Sequence, residues 1–280
     1  MTLNWRSLLF VPADRPERFA KAAASGADAV IVDLEDSVAP AAKEAARSHV
    51  AAWLAAPCAV ARLVRINPLG SSWFDGDAAL VAAARPDAVV LPKAEGAGSI
   101  RALRAAIGAN GPPVLPIATE TAAGVFELGS LREIADELAG VTWGAEDLPA
   151  SIGAETAREV DGRYTPPYEL ARSLALFAAH AAGVPAIDTV FPAIADGAGL
   201  EAYARRAARD GFTGMLAIHP AQVAAINAAF TPSDEAVALA RRVVAAFAAE
   251  PGAGALKHDG RMIDAPHLAQ ARRLLARARS

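Results

Sequence analysis

"SLLFVPADRPERFAKAAASGADAVIVDLED", residues 7–36, reads as strand, turn, helix and strand. "SLLFVPA" (7–13) is a short apolar run of strand length. Asp14 follows in the position of a helix N-cap, with Pro16 in the first turn, and Gly26 stands where a helix C′ residue is expected. A second apolar run, "DAVIVDLED" (28–36), completes a strand–helix–strand unit.

The unit repeats along the chain. "CAVARLVRIN" (58–67), "PDAVVLPKAE" (86–95), "PPVLPIATE" (112–120), "GVTWGAED" (140–147), "PAIDTVFPAI" (185–194) and "FTGMLAIHP" (212–220) read as further strands, each followed by a helix or a long loop. Short apolar runs of this kind predict a parallel sheet buried on both faces. Eight βα units in about 220 residues predict an α/β protein, a closed (β/α)₈ TIM barrel. An open doubly wound sheet is the alternative. The first strand–helix turn, "FVPADRPERF", lacks the glycine fingerprint that such a fold uses for a dinucleotide. The predicted organisation is a catalytic barrel over residues 1–230 and a C-terminal helical extension and lid over residues 231–280. The extension reads as a helix, a Gly-rich loop "EPGAGALKHDG" and a helix "APHLAQARRLLARAR".

Composition narrows the function. Of 280 residues, 54% are hydrophobic, enough for a large core and too many for a disordered chain. A formal net charge of −4 supplies no basic field for nucleic acid. The single cysteine, Cys58, forms neither an internal disulfide nor a Cys-pair metal site, which suits a reducing cytoplasm. "MTLNWRSLLFVPADRP" has no signal-peptide order, and no apolar run has bilayer-spanning length.

The strand ends carry the chemistry, because polar residues there converge on one face of a barrel. They are Arg6 and Asp14 around strand 1; Asp33, Glu35 and Asp36 after strand 2; Arg65 and Asn67; Lys93 and Glu95; Glu120; Glu146 and Asp147; and Asp188 on strand 7. Acids gathered in an apolar-walled mouth raise one another's pKa or require a divalent cation. Oxygen donors without a His or Cys set point to Mg²⁺ or Mn²⁺ rather than zinc. Each residue also has a structural reading. An acid at a strand end caps a helix, Arg65 and Lys93 neutralise neighbouring acids, His219 caps the last barrel helix, and Trp143 belongs to the core. Lys93 is also in the position of a Schiff-base lysine.

"RSLLFVPADRPERFAKAAASGADAVIVDLEDSV", "LVRIN", "LPKAE", "IATETAAGV", "WGAEDLPASIG", "GFTGMLAIHPAQV" and "DGRMIDAPHLAQA" occur in that order over essentially the whole chain. Together they resemble the citrate lyase β-subunit-like proteins of the HpcH/HpaI aldolase superfamily, a group that includes malyl-CoA and citramalyl-CoA lyases. The resemblance implies a barrel, a Mg²⁺ ion, C–C bond chemistry beside a CoA thioester, and a homotrimer or hexamer. It implies metal binding by Glu120 and Asp147, and a substrate carboxylate or carbonyl held by Arg65. Glu35 and Asp36 are implied to line the pocket. Asp264 is implied to reach a neighbouring subunit's site as the proton carrier. The expected activity is cleavage or formation of a malyl-, citramalyl- or citryl-type thioester, with acetyl-CoA and an α-keto acid as the other pair. The alternatives are a partner-dependent citrate lyase β subunit acting on an acyl carrier protein thioester, and a metal-dependent aldolase or thioesterase of the same superfamily.

Overall fold

A computed structural model of the protein describes residues 4–278. Eight parallel strands are β1 (Ser7–Pro12), β2 (Ala29–Asp33), β3 (Ala61–Arg65), β4 (Ala88–Leu91), β5 (Val114–Pro116), β6 (Val141–Thr142), β7 (Ala186–Asp188) and β8 (Gly214–Ala217). Their order is β5-β4-β3-β2-β1-β8-β7-β6. Parallel bridges Val114–Leu138 and Ile117–Thr142 join the two ends of that order, so the ring closes. Helices follow the strands, among them Lys43–Ala55 after β2, Pro166–Ala182 after β6 and Gly197–Asp210 after β7. This is the (β/α)₈ barrel that the sequence predicts.

Side-chain alternation along each strand builds two packing layers. Leu8, Ile31, Leu63, Val90, Leu115, Ile187 and Leu216 pack together in one buried cluster. The alternate residues, such as Leu9, Val30, Val64 and Val89, are also almost fully buried. Strands enclosed on both faces therefore read as unbroken apolar runs. β5, β6 and β7 are shorter than the sequence predicts, at three, two and three residues. Pro116 ends β5 and Pro185 precedes β7, and proline brings no N–H to a ladder.

The first helical segment differs from its reading. A 3₁₀ turn, Pro16–Arg18, precedes the helix Phe19–Ala23, and Arg15 takes the cap position without a side-chain hydrogen bond. Asp14 therefore does not cap it. Proline at the start of the turn makes one orphan N–H fewer and weakens the need for a cap.

The chain forms two compact units, one up to Asn227 and one from Ala228 onward. The second contains the helix Asp234–Ala249, an antiparallel hairpin of β9 (Ala255–His258) and β10 (Arg261–Asp264), and the helix Ala265–Arg277. The hairpin replaces the later part of the Gly-rich loop that the sequence predicts. Asp259 and Gly260 supply the two successive positive φ angles, 47° and 75°, of a tight hairpin turn. Leu256 and Ile263 are register partners and pack with Ala240, Val243 and Ala271 in a small core. Among the described residues no helix is long and apolar enough to cross a membrane.

Candidate active site

At the C-terminal ends of the strands a cavity of about 440 Å³ opens between Phe10, Asp33, Arg65, Glu120, Trp143 and Asp147, with Asp36, Glu146 and Thr189 also on its wall. Asp33 and Arg65 end adjacent strands in matching register. Arg65 donates from Nε to Asp33 Oδ1 and from Nη2 to Asp33 Oδ2, both at 2.7 Å. Burial would push Asp33 up, but the charge and paired hydrogen bonds of Arg65 outweigh it and hold the carboxyl below its ordinary range. Arg65 Nη1 lies 3.0 Å from Glu35 Oε2, and the guanidinium stacks over Phe10 with 4.9 Å to the ring centroid. The Glu35 contact is one of charge, because that buried oxygen has no well-aligned donor. With one edge of its fork committed to Asp33, Arg65 retains N–H groups on Nη1 and Nη2 for a further anion. Asp36 is mostly exposed, 3.9 Å from Arg65.

Beneath this pair lies a network that the sequence reading missed. The buried Lys43 ammonium donates to Leu34 O (2.7 Å), Glu35 O (2.8 Å) and Asn67 Oδ1 (2.7 Å). Asn67 in turn donates through Nδ2 to Asp77 Oδ2 (2.6 Å), and Asp77 Oδ1 accepts from Arg47 Nε (2.7 Å). All three protons of the ammonium are used, the condition for keeping a buried lysine charged. The network pins the Leu34–Glu35 backbone and so places the Glu35 carboxylate. Lys43 opens a helix at an ordinary position, and nothing local marks it as buried.

Glu120 follows β5 and is 5% exposed. Burial, then the nearby charges of Glu35 and Asp147, push its carboxyl up to about 8, although the Lys93 backbone N–H donates to Oε2. Gly144, at the turn of "WGAED", makes room for it. A Cβ there would stand 2.6 Å from Glu120 Cγ and 3.0 Å from Oε1. Lys93 carries a left-handed backbone at φ 51°, which costs an L side chain about 1 kcal/mol. Its ammonium donates to Glu35 Oε1 (2.8 Å) and lies 3.4 Å from Asp147 Oδ1. Burial alone would lower the lysine, but the bond to Glu35 and the surrounding acids raise it above its ordinary value. The pairing with Glu35 agrees with the ion-pair reading of Lys93.

Other predicted residues lie elsewhere. Asp188 is fully buried and does not join the mouth. Ile187 takes the inward position, so Asp188 turns to the helix layer. There it accepts from Arg172 Nη2 (2.8 Å) and Nε (3.0 Å), Trp143 Nε1 (2.6 Å) and Tyr203 Oη (3.1 Å). Trp143 is thus core, as read, while the residue also borders the cavity. Arg6 pairs with Asp28 at the opposite, N-terminal ends of the strands. Glu95 accepts from Thr121 Oγ1 (2.9 Å) at an exposed position. His219 accepts from Ala221 N–H (3.2 Å) and caps a 3₁₀ turn. Asp264, in the second unit, is the N-cap of Ala265–Arg277 and pairs with His267, whose hydrogen bond holds the carboxyl below its ordinary range.

Glu120 and Asp147 fit a small hard cation. Glu120 is a buried acid whose carboxyl is raised first by burial and then by the nearby charges of Glu35 and Asp147, an environment that a cation would relieve. Among the described residues no three His, Cys, Asp or Glu side chains form a ready-made metal cage. Two carboxylate donors suit Mg²⁺, which binds through one or two carboxylates and keeps waters or substrate oxygens.

A closed (β/α)₈ barrel whose mouth gathers buried acids around one arginine and one lysine defines a barrel enzyme with its active site at the C-terminal face. The chain belongs to the HpcH/HpaI aldolase/citrate lyase family, which it matches over residues 6–220. It is 43% identical over 270 residues to a citrate lyase subunit beta-like protein of Mycobacterium tuberculosis, covering 96% of this chain and 94% of that one. Two proteins of Cereibacter sphaeroides are similar over 98% of this chain and 94% of their own: a (3S)-malyl-CoA thioesterase at 34% identity and an L-malyl-CoA/beta-methylmalyl-CoA lyase at 33%. Among solved structures, CitE of M. tuberculosis in complex with magnesium, acetoacetate and coenzyme A superimposes with a TM-score of 0.83 at 41% identity, covering 98% of this chain and 97% of that one.

Proposed function

We propose that the protein is a Mg²⁺-dependent carbon–carbon lyase that cleaves or forms a malyl-, citramalyl- or citryl-type CoA thioester. The observation that carries this reading is the buried Glu120 carboxyl beside Asp147 in a mouth that also presents Arg65. Full-length similarity to a malyl-CoA lyase, and to a CitE solved with magnesium and coenzyme A, supports it.

Glu120 and Asp147 would hold the ion; Mn²⁺ suits the same oxygens. When bound, Mg²⁺ supplies Lewis acidity that eases loss of the substrate hydroxyl proton. Arg65 binds the carboxylate next to that hydroxyl, its orientation fixed by Asp33. Asp36 lines the pocket, whereas Glu35 is not on its wall but buried behind it, where it holds Lys93 and neutralises part of the Arg65 charge. In cleavage the hydroxyl proton passes to a base, the C–C bond breaks, its electron pair passes to the thioester α-carbon, and the hydroxyl oxygen becomes the carbonyl oxygen of the α-keto acid. Asp264 is the proposed carrier of the proton that the α-carbon takes to give acetyl-CoA, working in the site of a neighbouring subunit. The reading includes a cytoplasmic homo-oligomer, trimer or hexamer.

The test is to incubate purified protein and Mg²⁺ with acetyl-CoA and glyoxylate, pyruvate or oxaloacetate in turn. The condensed thioester is detected by mass, and each thioester is followed in the cleavage direction. Acetyl-CoA plus keto acid as products supports the lyase. Release of free CoA and the intact hydroxy acid alone would replace it with a thioesterase.

A further inference from the structure

The two carboxylates proposed to hold the metal share one partner. The Lys93 backbone N–H donates to Glu120, and the Lys93 ammonium stands 3.4 Å from Asp147. Among the described residues, Lys93 is the one cation within ion-pair distance of Asp147. The ammonium also donates to Glu35 at 2.8 Å, so it bridges an acid after β2 and an acid after β6. Its backbone sits at φ 51°, a conformation that glycine adopts without strain. Glycine would keep the N–H to Glu120 while removing the whole side chain, ammonium included. The side chain is 31% exposed, at the water's edge, on a flexible four-carbon stem.

We propose that Lys93 is a built-in counter-ion of the acid cluster: it neutralises Asp147 in the metal-free protein, yields that contact to a divalent cation, and thereby weakens and sets the affinity for the metal. The inference rests on the metal reading of Glu120 and Asp147. Its physical basis is that an ammonium and a divalent ion on one carboxylate repel each other, and a strongly hydrated, tethered ammonium leaves easily. Glu35 gives it a resting place after it yields. The inference predicts a sign that a structural role does not. Removing the ammonium tightens metal binding, whereas loosening the site weakens it.

The experiment is calorimetric titration of Mg²⁺ into chelator-stripped wild type, Lys93→Met, Lys93→Gly and Lys93→Arg, with Mn²⁺ as a second probe. Melting temperatures are recorded with and without saturating metal. Both Lys93→Met and Lys93→Gly are expected to bind Mg²⁺ on the order of tenfold tighter than wild type, as expected when a like charge close to the ion is removed. Metal-free Lys93→Met should melt below wild type, with the gap closing at saturating Mg²⁺. Lys93→Arg keeps the charge and should retain weak binding. Equal or weaker binding in both uncharged variants, with native near-UV circular dichroism, overturns the counter-ion role. Wild type that binds no Mg²⁺, or Glu120→Gln and Asp147→Asn that bind as wild type does, overturns the metal reading and this inference with it. Metal binding lost in those two variants while Lys93→Met is unchanged removes the inference alone.

Discussion

Asp33 and Arg65 are register partners at the ends of adjacent parallel strands, and their side chains close two 2.7 Å hydrogen bonds edge to edge. The strand ladder therefore aims the arginine. Arg65→Lys keeps the charge but cannot hold Asp33 in two-point fashion while reaching a substrate anion. A loss of about 2–3 kcal/mol in transition-state stabilisation is expected, read as kcat/KM. Near-wild-type kcat/KM with a lowered melting temperature would reduce Arg65 to a structural ion pair.

The same pair makes an acid-sensitive element. Asp33 has a folded-state pKa below the unfolded value of about 3.9, so the unfolded state binds more protons as the pH falls. Its contribution is fully present above the unfolded pKa and is lost as pH drops through the folded pKa. Denaturant melts should show wild type more stable than Asp33→Asn at pH 7, with the difference shrinking below about pH 4. A gap that stays constant to low pH would contradict the linkage.

Glu120 behaves in the opposite sense. Its carboxyl is pushed up to about 8, so between the unfolded value of about 4.3 and 8 the metal-free folded state holds a proton that the unfolded state does not. Stability of the metal-free protein should therefore decline as pH rises through that window. Mg²⁺ needs the carboxylate, so its binding near pH 7 should release a proton and tighten toward pH 8. Calorimetry in buffers of different ionisation enthalpy measures that proton. The same proton release from Glu120→Gln would assign it to another group.

Gly144→Ala places a methyl group 2.6 Å from Glu120 Cγ. Overpacking of this kind costs roughly 1–3 kcal/mol in stability. The more specific expectation is weaker Mg²⁺ binding, because Glu120 is the atom group that must shift. Unaltered metal affinity in a correctly folded variant would mean that the site tolerates a displaced Glu120.

Asp264 caps an exposed helix and pairs with His267. If capping is its whole role, Asp264→Ala lowers the melting temperature slightly and leaves turnover intact. As the proton carrier, its loss should lower kcat by roughly 10²–10⁴. Mixing Asp264→Ala with Asp147→Ala under subunit exchange should then restore part of the activity. Absence of recovery despite demonstrated exchange argues against a shared site.

The barrel was legible in the sequence because two signals survive without neighbours: apolar runs of strand length, and their regular alternation with helical segments. β2 and β4 are buried at every residue, so their strings are apolar almost throughout. The acids after them were legible as a group, since a parallel barrel brings every strand end to one face. The hairpin was also encoded, in Asp259-Gly260, but a Gly-rich context concealed it. What the tertiary structure alone decided is which charges meet. Asp188 and Asp33 both end strands in aspartate, yet one turns outward to Arg172 and the other inward to Arg65, because a shift of one residue reverses the face. Lys43 and Lys93 look alike as letters. One is sealed under Glu35 by carbonyls from a loop and an asparagine 24 residues away, and the other stands at the mouth between two acids. Charge pairing depends on distances of a few ångströms between residues far apart in the chain, and only the closed barrel fixes those distances.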